Sequence, residues 1–107
     1  MKPKKYYGEY PDIAIPAILQ GPEWQDQSWH NDACAKSEST EGLPAGLTRQ
    51  VWVDYDDKDL REMGGPKYCV LVIDNDTGYA ADGNEEGETA DSELTTLIQT
   101  VRARYAK

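Results

Sequence analysis

Phenylalanine is absent from this 107-residue chain, histidine occurs once, and cysteine and methionine occur twice each. Without Phe, aromatic packing falls to seven Tyr and three Trp, side chains whose polar ends need a partner when buried. Two cysteines, Cys34 and Cys69, are too few to staple a disulfide scaffold, and the thiols read as unpaired. One His and two Cys without Cys-x-x-Cys spacing form no zinc signature, so neither a metal nor a cofactor is expected. No apolar run approaches the ~18 residues of a membrane-spanning helix. The basic start Met1-Lys-Pro-Lys-Lys5 is not followed by the apolar stretch of ~7–15 residues that a signal peptide carries. Both absences point to the cytoplasm. Positive charge is scarce too: 11 Lys+Arg against 20 Asp+Glu leave a net charge of −9. Duplex DNA, RNA and anionic membranes each bind a basic footprint, so none is an expected partner.

What remains is enough for one domain, 1–107, with a single modest core. Residues 1–10 read as a flexible lead-in. In Pro11-Asp-Ile-Ala-Ile-Pro16 the isoleucines alternate, but the prolines remove backbone donors at both ends, which leaves at most a short edge strand. Gln20–Asp32, rich in turn formers and amides, reads as a packed loop carrying Trp24 and Trp29. Residues 33–38 form a weak strand, and Gly42, Pro44 and Gly46 mark a connector. Arg49-Gln-Val-Trp-Val-Asp-Tyr55 alternates with the two-residue period of a strand. Residues 56–63 allow a helical turn or two before Gly64-Gly65-Pro66. Tyr68-Cys-Val-Leu-Val-Ile73 has no polar alternation, the pattern of a central strand covered on both faces. The turn Asp74–Gly78 then predicts a hairpin with a partner strand at Tyr79–Ala81. Leu94, Leu97, Ile98, Val101 and Tyr105 recur at the spacing of one helical face. With Asp91 at the start and Arg102, Arg104 and Lys107 at the end, they predict a helix over 91–106. The expected architecture is α+β, a small antiparallel sheet of three to five strands packed against a C-terminal helix.

Three constellations bear on function. The densest, Trp24-Gln-Asp-Gln-Ser-Trp-His-Asn-Asp-Ala-Cys34, sets His30 near Cys34 and permits a Cys/His enzyme with Cys34 as nucleophile and His30 as base. Four residues apart in an extended chain, however, two side chains lie ~13 Å apart. The plainer reading is a loop whose tryptophans pin or present it, while Asp26, Ser28, Asn31 and Asp32 satisfy its backbone. A second constellation places Asp82, Asn84 and Glu86 at positions 1, 3 and 5, Gly87 at 6 and Glu93 at 12 of an EF-hand outline. Glu at position 5 and Thr89 at position 8 depart from it, so a calcium module through 82–93 stands only as an alternative. The third is charge. From Asp54 to Glu93, 13 acidic residues face only Lys58, Arg61 and Lys67, a surface suited to steering a basic protein.

The segment Trp24-x-Asp-x-Ser-Trp-His-Asn-Asp-Ala-Cys34, followed by Val51-Trp-Val-Asp-Tyr-Asp56 and the Tyr68–Asp74 stretch, resembles a group of short bacterial and phage-associated proteins. The resemblance implies no activity and carries over no catalytic residue. The reading that joins these observations is a non-catalytic acidic interaction protein of unassigned oligomeric state. It would meet a protein partner through Trp24, Asp26, Trp29, His30, Asn31 and Asp32 together with Asp54, Asp56 and Asp57.

Overall fold

The computed structural model describes residues 6–29, 32, 34–62, 65–80, 85–87 and 91–105. Five antiparallel strands follow one another in chain order: β1 (Gln25–Asp26), β2 (Ala35–Ser39), β3 (Leu47–Val53), β4 (Tyr68–Asp74) and β5 (Glu85–Gly87). A helix, α1 (Asp91–Tyr105), closes the chain. The fold is α+β. Its spine is the β3–β4 ladder, which runs in register from Leu47 opposite Asp74 to Val53 opposite Tyr68. These are the stretches richest in β-branched and aromatic side chains, which suit a pleated, half-buried surface. Where the chain reverses beyond them, Gly46 and Gly78 take φ of 89° and 76°, a region open to glycine and strained for other residues.

Alternation along the strands decides what is buried. Ala35, Ser37 and Ser39 of β2, Arg49, Val51 and Val53 of β3, and Tyr68, Val70 and Val72 of β4 all point into the core. The intervening residues Lys36, Glu38, Gln50, Trp52, Cys69 and Leu71 are half-buried on the other face. The apolar run of β4 is therefore fully buried on one side only, not on both as its composition suggests. Helix α1 packs against β4, β5 and a 3-10 turn at Ala17–Leu19, with Leu94, Ile98 and Val101 buried and Leu97 partly so. Burying each of these large aliphatic side chains contributes about 1.5–3 kcal/mol. The side chain of Tyr105 lies outside what the structure describes.

Two expectations need correction. The described part of the lead-in, residues 6–10, is not loose: Tyr7 and Tyr10 are core residues, joined by Ile13, Ile15 and Leu19. The arm folds on itself through a bridge between Tyr6 and Ala14 and through bonds from Tyr7 N to Ile13 O (3.2 Å) and Ile13 N to Tyr10 O (2.9 Å). Residues 11–16 thus add no strand to the sheet edge. The Tyr7 hydroxyl finds Ser37 Oγ at 2.7 Å, which satisfies both buried groups. Residues 1–5 lie outside the described residues. The second correction concerns the return from β4. The hairpin turn is present, with Asp74 N donating to Tyr79 O at 2.9 Å and a bridge between Ile73 and Ala80. The strand proper is Glu85–Gly87, paired with Tyr68–Val70.

Candidate functional site

Strand β2 begins, β3 ends and β4 begins at the same end of the sheet, because Ala35 pairs with Val53 and Val53 with Tyr68. Trp29, Asp32 and Cys34 therefore lie at the same end of the sheet as residues 54–62 and 65–67, although about twenty residues separate Cys34 from Asp54 in sequence. Topology brings the tryptophan loop beside the acidic loop.

Leading into this end, Asp26 accepts main-chain N–H groups on both oxygens, from Gly8 at 2.9 Å and Ser28 at 3.0 Å. The Ser28 hydroxyl then takes the place of a ladder partner, accepting from Lys36 N at 2.9 Å, beside the bond from Gln27 N to Lys36 O at 3.0 Å. The chain next turns, with Asp32 N donating to Trp29 O at 2.8 Å. The buried Tyr10 hydroxyl holds this turn from beneath, bonding to the carbonyls of Trp29 (3.0 Å) and Asp32. Its phenol is pushed up, first by burial and then by the negative charge of Asp32, with Cys34, Tyr55 and Glu62 adding to it. It stays a neutral donor. With its backbone fixed in this way, the Trp29 side chain is 55% exposed, whereas Trp24, five positions earlier, packs half-buried against the core. His30 and Asn31 lie outside the described residues.

The facing loop is built around Arg61, which is buried. Its Nε donates to Tyr55 O at 2.6 Å, Nη1 to Gly65 O at 3.1 Å and Nη2 to Asp56 O at 3.2 Å. Charged donors of this kind contribute about 1.5–3 kcal/mol each, so one guanidinium gives the loop its shape. Asp57 caps the 3-10 turn Lys58–Leu60 by accepting from Asp59 N at 2.9 Å, in the stretch where one or two helical turns were expected. Asp56, Asp57, Asp59 and Glu62 remain exposed, and Asp56 pairs with Lys67. Leu60, 59% exposed among them, is a residue that the reading of charge alone passed over. Its signal was an isolated aliphatic side chain in an acidic turn.

Asp54 does not belong to the exposed set. It is 6% exposed, and its Oδ1 accepts from Tyr55 N at 2.8 Å. Burial raises its pKa, opposed by that N–H and by the Arg61 charge. Cys34 is buried as well, and its thiol is pushed up to about 12, first by burial and then by Asp54 and Asp32. A nucleophilic cysteine requires the reverse, a lowered pKa and access, and His30, the base of that alternative, lies outside the described residues. The calcium alternative meets a similar obstacle. Glu85–Gly87, positions 4 to 6 of its outline, is extended in a ladder with β4, whereas an EF-hand loop turns sharply at position 6. Residues 82–84 and 88–90 lie outside the described residues. Among the described residues no group of three His, Cys, Asp or Glu is placed to hold a metal ion, and no helix is long and apolar enough to cross a membrane.

No protein-family model, curated protein or solved structure matches the chain.

Proposed function

We propose that this chain is a non-catalytic interaction domain of the cytoplasm that docks a basic protein partner at the end of the sheet where Trp29 stands beside the acidic loop 54–62. The observation that carries the reading is the contrast at Trp29: a large aromatic side chain 55% in solvent on a backbone whose carbonyl accepts from both the Tyr10 hydroxyl and Asp32 N. An aromatic side chain presented on a fixed backbone loses little conformational freedom on binding and is the kind of residue that dominates interface energies. Around it Asp32, Asp56, Asp57, Asp59 and Glu62 supply the negative field that speeds encounter with a cation-rich surface. Leu60 extends the apolar centre of the patch. Trp24 and Asp54 act from within, Trp24 by anchoring the loop and Asp54 by shaping the turn at Tyr55. The resemblance noted above is consistent with a phage-associated setting.

The test is capture of partners from lysate with the native chain and with the Trp29→Ala and Asp56→Asn/Asp57→Asn variants. A partner retained by the native chain, lost with Trp29→Ala and binding more slowly as salt rises supports the reading. A partner whose association rate ignores both salt and the aspartate substitutions overturns the acidic face. One indifferent to Trp29→Ala overturns the anchor.

A further inference from the structure

Asp54 sits where the sheet ends and the acidic loop begins. It follows the last residue of β3, and its N–H still donates to Lys67 O at 2.8 Å, one bond beyond the strand pairing. Its Oδ1 accepts from Tyr55 N at 2.8 Å, which ties the first residue of the loop back to the sheet. Further along, the buried Arg61 donates to the carbonyls of Tyr55, Asp56 and Gly65. The loop is thus fastened at its entry by a carboxyl group and across its span by a guanidinium. Asp56, Asp57, Asp59 and Glu62 stand in solvent along the same loop, whereas Asp54 is buried.

The groups around Asp54 supply little to offset a buried negative charge. On its own loop the Arg61 charge favours the ionised form and Glu62 opposes it. On the side of the N-terminal arm, Asp12 lines a cleft of about 40 Å³ together with Asp54, Asp56 and Lys67, and Lys67 pairs with Asp56. A space of that size admits a few water molecules at most. Toward β2 stands Cys34, a neutral thiol on which both Asp54 and Asp32 act. A carboxylate taken out of water is costly unless it is paired and well hydrogen-bonded. Here burial outweighs the Tyr55 N–H and the Arg61 charge, and the carboxyl pKa is raised.

We propose that Asp54 is a proton-operated latch on the loop 54–62: the protonated carboxyl seats the loop against the end of the sheet, and ionisation favours an opened form in which the carboxylate reaches water. The protonated group still accepts from Tyr55 N through its carbonyl oxygen and has no charge to desolvate. The ionised group regains its hydration when the loop swings out, a local opening that leaves the β3–β4 ladder intact. Because the folded-state pKa lies above the ordinary 3.8, the hold is complete below that value and is lost as pH rises through the folded-state pKa. The loop is therefore tightest in mild acid and loosest at neutral pH. Its bearing on docking rests on the reading above, since a seated loop presents Leu60 and the exposed carboxylates on a fixed backbone.

The experiment joins a carboxyl-carbon NMR titration of the intact chain to amide hydrogen exchange between about pH 7 and pH 4, corrected for the intrinsic pH dependence of exchange. Expected are a titration midpoint of Asp54 above the ordinary 3.8 and protection at Tyr55, Leu60 and Arg61 that rises several-fold as pH falls through that midpoint. The amides of Val51 and Val70, in the ladder, serve as reference and should show no such step. Asp54→Asn, which keeps an oxygen for Tyr55 N and cannot ionise, should hold the loop at its acid-side protection throughout. Should that variant lose its native spectrum, the native chain decides alone. A midpoint at or below the ordinary value, or loop protection that shows no step there, overturns the proposal. So does an Asp54→Asn chain that keeps the native pH dependence. No partner enters these measurements, so their failure leaves the docking reading standing, and failure of the partner assay leaves the latch standing.

Discussion

The two faces of the sheet solve the same problem in different ways. On the inner face, Val51, Val53, Val70 and Val72 are covered by other parts of the chain, the N-terminal arm and α1, and reach exposures of 0–1%. On the outer face Trp52 is shielded by its neighbours' side chains. Lys36 Nζ lies 5.0 Å from the Trp52 ring centroid and 3.4 Å from Glu38 Oε2. Gln50 donates to Glu38 at 2.9 Å and accepts from Trp52 Nε1 at 3.2 Å. Long polar side chains drape their methylenes over apolar surface while their ends stay wet. An unbroken apolar strand such as β4 thus needs a packed element on one side, and a row of polar neighbours suffices on the other.

The contrast has measurable consequences, of which the largest is on the inner face. Leu94→Ala empties a fully buried position between helix and sheet and is expected to destabilise the fold by about 2–5 kcal/mol in urea unfolding. A loss as small as that of a surface substitution would mean that α1 is not part of the core.

The inner face also predicts a loss of stability in alkali. Cys34 and Tyr7 are protonated and neutral when buried, and both have pKa values raised above the ordinary 9.0 and 10.0. The unfolded chain therefore releases these protons at lower pH than the folded chain. Their stabilisation is complete below about pH 9 and is lost as pH rises toward the folded-state values, with a slope of at most about 1.4 kcal/mol per pH unit for each group. Urea unfolding at successive pH values checks this, and Cys34→Ala should flatten the first part of the decline. The two cysteines offer a sharper comparison at neutral pH. Cys69, half-buried on the outer face, should react with a thiol reagent before Cys34, whose modification should await unfolding. Equal rates would erase the distinction between the faces.

Smaller effects follow. Tyr7→Phe removes the bond to Ser37 and should cost about 1 kcal/mol. Leu71→Ser, on the outer face, should cost less than about 1 kcal/mol. If the order of these two were reversed, the outer face would be the one that is covered.

Much of this arrangement was legible in the residues. β3 and α1 were readable because their apolar spacing matched one period each, and β4 because it was bounded by turn formers. The arm at 6–19 was hidden by Pro11 and Pro16, which do break strands but do not prevent burial. Its place in the core comes from tertiary partners such as Ser37, thirty positions from Tyr7 in sequence. β5 was hidden for a related reason. Glu85-Glu-Gly87 has little strand preference of its own, and the open edge of β4 imposes one. At the end of the sheet shared by Trp29 and the acidic loop, residue type identified the loops, but not which tryptophan faces solvent. That depended on the Tyr10 hydroxyl, which holds the turn at Trp29 from a segment that composition had marked as loose.

Strand length falls away from the seven-residue pair β3 and β4 toward two residues in β1 and three in β5. Long, flat, unpaired margins are the templates on which chains stack into fibrils, and curtailing them is one of the ways proteins resist that fate. Here the most apolar strand, which in isolation would be the segment most prone to self-assembly, is paired along its whole length with β3 on one side, and on the other with β5 over Tyr68–Val70 and with Ala80 at Ile73, which shortens the margin left to a second molecule.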